Sequence, residues 1–534
     1  MTSSGQSGPP AVGFGAASPL PELTRPGAQA RGRSGGLGEA ARNSAWGGLG
    51  AVVAAILGFL LTAVIARSLG PAGAGTVFAS IAVATILITL GTAGADTGVL
   101  WALPRNRTLE AGRRVREILL VALVPVIALS VLMAVALWFS APRIAAHIDG
   151  AAGGPTLSLL RVLSLAVLFG PATQVALQAT RGLGDVRPFV AIQQVGLPLA
   201  RFVGAAMLAV IGHVGTVAYG WTWSAPLVGA FAASMIVVRR RASRTAPAGR
   251  PPPRTAVLTR SFWQYSLMRG LASACSMALV WCDVVLVAVL ASPAAAGVYA
   301  VASRFATSGA IALQAMRLGI APQVSSAFAR DDMEEVRLLY SVTTAWAIVL
   351  CWPVFVTLGI FAPTLLGLFG VQYVAGSTAL ALLSIGMMVS VGVGNVATLL
   401  LMSGRSQWVA RNGAAALAAN LALNVVLIPV LGMNGAALAW VASILVESLL
   451  GLYVVHRHLD VHGHRGPVRS LALLTLVLSL GLGYTVQQVL GATLPALALH
   501  VCVLSGALAL MVFWRRSDLR LDVIFTRRRA AAGR

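Results

Sequence analysis

Long apolar runs recur along this chain from residue 44 to residue 514, and this pattern limits the possible folds more than any other feature. A helix needs about 20 consecutive apolar residues to cross a bilayer. Charged residues make up only 10% of the chain and the mean hydropathy is +0.84, whereas a soluble protein carries about a quarter charged residues. No run alternates with the two-residue period of a barrel strand. The sequence therefore predicts an all-α polytopic membrane protein.

We predict fourteen transmembrane helices from these runs. Their approximate bounds are 44–67, 75–103, 117–140, 156–180, 187–211, 216–238, 261–290, 295–321, 338–361, 376–402, 407–429, 433–455, 467–489 and 493–514. The gaps between them test the assignment, because cytoplasmic loops carry an excess of positive charge. Alternate gaps hold one arginine, Arg143, whereas the opposite side holds 32. This asymmetry predicts a multi-pass membrane protein with both termini in the cytoplasm, and we expect it to lie in the bacterial cytoplasmic membrane.

The chain also repeats itself. The turn after the first span contains Pro71-x-x-x-Gly75, and the turn after the seventh contains Pro293-x-x-x-Gly297, 222 positions later. Gly184 falls on Gly404 with an offset of 220. Repeats with an even number of spans are parallel and related by an axis along the membrane normal. We therefore predict two six-helix lobes related by such a pseudo-twofold axis, with two further C-terminal helices.

The composition shifts along the chain predict six segments. They are a disordered cytoplasmic tail (1–43), an N-lobe (44–238), a basic proline-rich cytoplasmic linker (239–260), a C-lobe (261–456), spans thirteen and fourteen (457–514) and a basic cytoplasmic tail (515–534).

The net charge of +23 comes from arginine alone, because the chain contains no lysine. A P-loop and a pyridoxal Schiff base both need lysine and are excluded. Most arginines lie in short loops, which favours membrane orientation over nucleic-acid binding.

The four cysteines all fall in apolar spans, where we interpret them as small buried hydrophobic residues. The run from His456 to His464 has metal-compatible residue types, but a solvated loop is favoured, and we expect no metal or cofactor.

Several local patterns together resemble the multidrug/oligosaccharidyl-lipid/polysaccharide exporter superfamily, in its polysaccharide-biosynthesis (oligosaccharide flippase) branch. The matching stretches are Leu69-Gly70-Pro71-Ala72-Gly73-Ala74-Gly75, Gly297-Val298-Tyr299-Ala300, Leu368-Phe369-Gly370-x-x-Tyr373, Asn420-x-x-x-Asn424 and Ile428-Pro429-x-x-Gly432-x-x-Gly435-Ala436-Ala437. The resemblance covers roughly residues 44–514. It implies two lobes around a central cavity that opens alternately to each side, and polyprenyl-pyrophosphate-linked saccharides as substrates.

Charged residues inside the spans are the candidates for function, because a charge in hydrocarbon is costly and faces a partner or water. We hypothesise that Arg201, Arg269 and Arg304 line a cavity and hold a pyrophosphate, since the planar guanidinium gives bidentate contacts to phosphate oxygens. The acidic residues are hypothesised to bind a coupling proton or sodium ion; they are Asp96, Asp283 and Glu447. The alternative is that these arginines and acids form structural ion pairs. The tryptophans near span ends are interpreted as interfacial anchors; they are Trp221, Trp223, Trp263, Trp281 and Trp352.

Three functions remain open at this point. The first is a flippase for lipid-linked oligosaccharide, with pathway glycosyltransferases or a polymerase as possible partners besides membrane lipids. The second is a drug or cation antiporter of the same superfamily, for which acidic walls would be more suitable. The third is a membrane glycosyltransferase or polymerase that uses a polyprenyl donor, but the longest outer gap, 141–155, carries one carboxylate, Asp149, and this argues against an enzyme.

Overall fold

The computed structural model describes residues 30–107, 113–150, 154–212, 214–244, 255–309, 311–461, 466–516 and 519. The chain divides into two compact units, Met1–Ala45 and Trp46–Arg534, and the second holds the bundle of membrane-spanning helices. Helices dominate the described residues, and no β-strand occurs among them. The predicted tail 1–43, linker 239–260 and tail 515–534 lie partly outside the described residues.

The first half of the chain forms seven α-helices and one π-helical segment. They are α1 (Ala30–Thr92), α2 (Ala95–Arg107), α3 (Arg113–Asp149), α4 (Pro155–Gly182), α5 (Arg187–Phe189), the π-helix Val190–Gly196, α6 (Leu197–Ile211) and α7 (Thr216–Arg244).

The second half forms eleven α-helices and one 3₁₀ segment. They are α8 (Thr255–Leu290), α9 (Pro293–Ser308), α10 (Ile311–Ala329), α11 (Met333–Ile360), α12 (Ala362–Gly367), the 3₁₀ segment Val371–Gly376, α13 (Ser377–Val393), α14 (Val396–Met402), α15 (Ser406–Leu431), α16 (Met433–Leu459), α17 (Gly466–Leu490) and α18 (Leu494–Trp514).

Twelve helical segments in the described part of the chain are long and apolar enough to cross a membrane. The first, Trp46–Pro104, has 59 residues and is therefore about 90 Å long at 1.5 Å per residue, which is enough for two crossings. The predicted eighth span is divided between α9 and α10, and neither was counted among the twelve. The multi-pass helical architecture is confirmed, and the count of fourteen remains a prediction.

The predicted turn after the first span is a break in the helix at Gly70. This glycine has φ 65° and ψ −179°, and the helix continues on either side of it. A positive φ favours glycine because it lacks a Cβ atom. The following residue, Pro71, has no N–H to donate to the preceding turn. The sequence thus places a sharp change of direction here without a long loop.

The two Pro-x-x-x-Gly turns contact each other directly. A Cβ atom placed on Gly75 would lie 1.7 Å from the Pro293 carbonyl oxygen, and one on Gly297 would lie 2.1 Å from the Pro71 carbonyl oxygen. The contact is reciprocal, as a twofold axis between the two turns requires. Only glycine allows backbones this close, so these two positions bring the predicted lobes together on the predicted outer side.

Side chains next to this crossing join the same two halves of the chain. The Tyr373 hydroxyl donates to the Ala66 carbonyl at 3.0 Å, and Arg67 Nε donates to the Leu368 carbonyl at 2.8 Å. Three phenylalanine rings pack edge to face with centroid distances of 5.0 to 5.7 Å; they are Phe59, Phe305 and Phe369. The two halves of the chain are therefore in contact on the predicted outer side.

The first helix of the second half, α8, packs against both halves. Near its beginning, Trp263 Nε1 donates to the Val121 carbonyl of α3 at 3.2 Å. The Tyr265 ring stacks on Trp101 of α2 with a centroid distance of 4.8 Å. Near its end, Asp283 accepts a hydrogen bond from α15 instead. The predicted boundary at residue 261 lies inside α8, which begins at Thr255, and the packing of α8 joins the two halves of the chain.

The final helix pair is attached to α11 through a buried histidine. His500 is fully buried, and its Nε2 lies 3.0 Å from the Thr357 hydroxyl. Gln487 Nε2 also donates to the Ile360 carbonyl at 3.2 Å. The outer face of α18 is exposed and carries Cys502, so the prediction that every cysteine is buried is wrong at this position.

Candidate functional site

Two predicted spans are interrupted at corresponding places. The second span breaks at Ala93 and Gly94, whose φ angles are 46° and 76°. The eighth span breaks between Ser308 and Ile311, at nearly the same offset as the other repeats. Interrupted helices in corresponding positions of two repeats point to the binding site of a transporter, because they leave backbone polar groups available at membrane depth.

A pocket lies next to the second of these breaks, between the two halves of the chain. Its cavity volume is 40 Å³. The first half contributes Thr62 and Phe78, while the second contributes mainly α8, α9 and α16. The polar and aromatic residues that line it from the second half are Trp281, Asp283, Tyr299, Ser303, Arg304, Thr307 and Trp440. A cavity of this size holds water but no saccharide, since pockets for small molecules measure about 300–1,000 Å³.

Arg304 is the cationic residue of this pocket. Its guanidinium carbon lies 4.3 Å from the centroid of the Trp281 ring, which is the geometry of a cation–π contact. Arg304 forms no ion pair with any acidic residue in the described part of the chain. Trp281 therefore packs against a half-buried cation between the two halves of the chain, and its interpretation as an interfacial anchor stays a prediction. The ring faces inward because α8 borders the pocket here.

Asp283 lies at the centre of a polar network behind Arg304. It is 1% exposed. The Tyr299 hydroxyl donates to its Oδ2 at 2.9 Å, and Asn424 Nδ2 donates to its Oδ1 at 2.8 Å. Asn424 also donates to Asn420 Oδ1 at 3.0 Å, and both amides are fully buried. Asn424 Oδ1 has no partner among the described residues, so the network has an oxygen free to accept a further ligand.

Arg269 and Asp96 both lie next to the break in the second span, because a Cβ atom on Gly270 would lie 2.6 Å from the backbone of Ala93. Asp96 lies in the first turn of α2, and the Arg269 charge acts on its carboxylate. Both Arg269 Nε and Asp96 Oδ1 are buried without a hydrogen-bond partner among the described residues. A Cβ atom on Gly94 would lie 2.0 Å from the Ser266 carbonyl, which shows how closely α8 approaches the break. The pair is therefore held near the lobe interface without a direct salt bridge.

Arg201 lies elsewhere in the first half. Its guanidinium carbon is 3.8 Å from the centroid of the Trp223 ring, and its Nε donates to the Trp223 carbonyl at 3.3 Å. It forms no ion pair with a described acidic residue. Like Trp281, Trp223 packs against a half-buried arginine, and its interpretation as an anchor at the membrane surface stays a prediction.

Glu447 lines a separate cavity of 180 Å³ in the second half of the chain. This cavity lies at the break between α13 and α14, where Gly394 has φ 81°. Asn412 and Ser448 are also part of its lining. Glu447 therefore does not share the pocket of Asp283.

Of the six candidate residues, the structure places Arg304 and Asp283 in one pocket, Arg269 beside Asp96, and Arg201 and Glu447 apart. Sequence reasoning gave no functional role to Tyr299, Asn420 or Asn424. A signal for the asparagines was present, because two amides four residues apart in an apolar helix lie on one face. The carboxylate that Asn424 contacts, Asp283, is 141 positions away in the sequence, and a single sequence does not reveal such a contact.

The chain matches the model of the polysaccharide biosynthesis protein family over residues 40–317, which is more than half of its length. A curated relative from Haloferax volcanii, "Probable low-salt glycan biosynthesis flippase Agl15", is 27% identical over 195 residues. That alignment covers 36% of this chain and 41% of the relative, so the chain matches less than half of the relative's length.

Solved structures show the same fold at low sequence identity. The lipid II flippase MurJ in an inward closed conformation has a TM-score of 0.69 and 13% identity, covering 88% of this chain and 98% of that one. An inward-facing multidrug resistance MATE family transporter of the MOP superfamily has a TM-score of 0.60 and 17% identity, covering 76% and 94%. Together with the family match, the resemblance predicted from the motifs is confirmed: the chain belongs to the polysaccharide biosynthesis protein family.

Proposed function

We propose that this protein flips polyprenyl-pyrophosphate-linked oligosaccharide across the cytoplasmic membrane by alternating access. The observation that carries the proposal is the position of Arg304, a cation in a pocket between the two halves of the chain with no acidic partner among the described residues. An arginine in that setting needs an anion, and its planar fork suits the oxygens of a pyrophosphate. The flippase title of the Haloferax volcanii relative supports the same class of activity.

Alternating access follows from the size of the pocket. A volume of 40 Å³ cannot hold a sugar diphosphate, so the lobes have to separate before the substrate enters. The contacts at Gly75 and Gly297 close the predicted outer side, and the opening for loading is therefore expected on the cytoplasmic side. In that open form we propose that Arg269 and Arg201 contribute to the same chamber as Arg304.

We propose that the protein lies in the bacterial cytoplasmic membrane, and the arginine asymmetry supports the placement of both termini in the cytoplasm. Pathway glycosyltransferases or a polymerase are the proposed partners on either side of the flipping step. The chain carries out transport and no covalent chemistry in this proposal.

The proposal is tested by removing the gene and locating the lipid-linked saccharide. We expect the undecaprenyl-linked sugar to accumulate in the inner leaflet of the deletion strain, because its synthesis continues while its export stops. A strain with normal surface polysaccharide and a new sensitivity to cationic drugs would contradict the proposal. That result would support the alternative of a drug or cation antiporter, which is compatible with a fold shared with MATE transporters.

We also propose that Asp283 binds the coupling ion, a proton or a sodium ion. No ATPase motif is present, so an uphill step depends on an ion gradient. A carboxylate, a phenol and two amides offer a set of oxygen ligands that suits a hard cation. Asp283 and Arg304 line the same pocket without an ion pair between them, which gives the ion a way to influence substrate binding.

Replacing Asp283 by Asn is expected to remove the ion dependence of transport, since the charge that attracts the cation is lost. The measurement is the transport rate before and after the proton and sodium gradients are collapsed separately. Glu334→Gln, an exposed acid at the start of α11, is the control. Wild-type transport that is insensitive to the loss of both gradients would contradict this assignment.

A further inference from the structure

The turn between the fourth and fifth spans has the same backbone in both halves of the chain. Gly184 and Gly404 have φ angles of 90° and 77°. In each turn the next residue donates its backbone N–H to the carbonyl five positions earlier, at 3.0 Å for Asp185 and 2.9 Å for Arg405. The two turns are therefore equivalent in structure as well as in sequence. The residues after the two glycines, Asp185 and Arg405, carry opposite charges.

In the first half the turn is closed by an ion pair. Asp185 Oδ2 accepts a hydrogen bond from Arg241 near the end of α7. The other oxygen, Oδ1, accepts from the Arg187 backbone N–H at 2.9 Å. Both carboxylate oxygens are engaged, and the loop is fixed to the last helix of its lobe.

In the second half Arg405 occupies the position that corresponds to Asp185. Arg457 lies near the end of α16, the last helix of the predicted C-lobe. The two arginines line one open cavity of 830 Å³ on the predicted cytoplasmic side. The cavity is bordered by the ends of α10, α14 and α16 and by the start of α11. The charged residues that line it are Asp331, Arg337, Arg405, Arg457 and Asp460.

The charges in this cavity are not balanced in pairs. Arg337 is already engaged, because its Nε donates to the Asp460 carbonyl and its Nη2 to Asp460 Oδ2, both at 3.1 Å. Arg405 and Arg457 form no ion pair with any residue in the described part of the chain. The remaining acid of the lining is Asp331. Beyond the Arg337–Asp460 pair, the lining therefore holds two arginines and one aspartate, whereas the turn in the first half is closed by an ion pair.

We propose that this cavity binds a phosphate ester anion, either free in solution or as the headgroup of an anionic lipid. Arginine forks bind phosphate oxygens bidentately, and basic pockets at the cytoplasmic ends of membrane helices bind anionic headgroups. In this proposal Asp331, which also lines the cavity, accepts hydrogen bonds from hydroxyl groups on the same ligand, as in a glycerol phosphate. The bound anion would supply the negative charge that the Asp185 carboxylate supplies in the first half.

The reversal of Arg405 tests this proposal, because Arg405→Asp copies the pair of Asp185 and Arg241. The full-length protein is titrated with glycerol 1-phosphate by calorimetry. Lipid binding is measured by native mass spectrometry after purification from nanodiscs of phosphatidylglycerol or phosphatidylcholine. We expect Arg405→Asp to weaken phosphate binding about ten-fold or more, since two charge-assisted hydrogen bonds are lost. Arg411→Gln, which removes an exposed arginine stacked on Trp408 on the same helix, is expected to bind as wild type does.

Arg457→Gln is a second variant that tests the same site, because its side chain is exposed at the end of α16 and its loss does not disturb packing. Binding of glycerol 1-phosphate that both variants weaken supports a site open to soluble phosphates. Selective retention of phosphatidylglycerol, reduced in both variants, supports a headgroup site. The proposal is overturned if the wild type binds neither probe, or if both variants bind as tightly as Arg411→Gln. None of these outcomes depends on whether the protein transports a saccharide.

Discussion

Gly75→Ala and Gly297→Ala are each expected to prevent the predicted outer side from closing and to reduce transport strongly. The added methyl group would lie within 1.7 Å and 2.1 Å, respectively, of a carbonyl oxygen in the other half of the chain. Overpacking a close contact costs about 1–3 kcal/mol, and a bias of that size changes a two-state population by about 5- to 150-fold. The population of the closed form would therefore fall by about this factor relative to the open form.

The measurement is the distance between spin labels at His147→Cys and Val430→Cys, in a background without the four native cysteines. These positions are exposed, one in each half of the chain, near the ends of α3 and α15. We expect the distance to increase in both glycine variants. Gly58→Ala is the matched control, because a Cβ atom there meets nothing within 4 Å. Unchanged distances and unchanged transport in Gly75→Ala would show that the crossing is not a gate.

Arg304→Gln is expected to reduce transport of lipid-linked oligosaccharide by about ten- to a hundred-fold, while expression stays normal. A hydrogen bond to a charged group contributes about 1.5–3 kcal/mol, and glutamine offers neither the charge nor the fork. Arg304→Lys keeps the charge without the bidentate geometry, so an intermediate rate is expected. The readout is the initial rate of translocation in membrane vesicles.

Arg161→Gln is the control for this prediction. Arg161 also stacks on a tryptophan, with its guanidinium 5.2 Å from the Trp138 ring centroid, but it lies outside the inter-lobe pocket. Its loss tests the cost of removing any intramembrane arginine. Equal rates for Arg304→Gln and the wild type would remove Arg304 from the substrate site, and equal losses in both variants would assign it a structural role.

The sequence was sufficient for the class of fold because apolar runs and loop charges are local properties. The break at Gly70 was also predictable, since glycine and proline in succession interrupt a helix between two apolar runs. The breaks at Ala93 and Gly394 were missed because the chain remains apolar and helical on both sides of them. A break of two residues leaves almost no trace in hydropathy.

The site was only partly predictable for a different reason. An intramembrane charge such as Arg304 is rare enough to be noticed in a sequence. The tryptophan that packs against Arg304 is harder to recognise in a sequence, because a tryptophan near the end of a span suits both a lipid interface and a cation–π contact. The Asp283 network joins three helices whose relative positions depend on packing across the whole lobe. Asn420 and Asn424 could be recognised as a motif in the sequence, but the contact of Asn424 with Asp283 could not.

Reconstituted flipping is the most direct test of the central claim that an arginine between two lobes carries a diphosphate-linked saccharide across the membrane. The purified protein is placed in liposomes with a labelled polyprenyl-linked oligosaccharide, in one series joined by a diphosphate and in another by a monophosphate. We predict that the diphosphate form crosses faster and that Arg304→Gln removes this difference. If neither form crosses while a cationic drug is transported, the claim is contradicted.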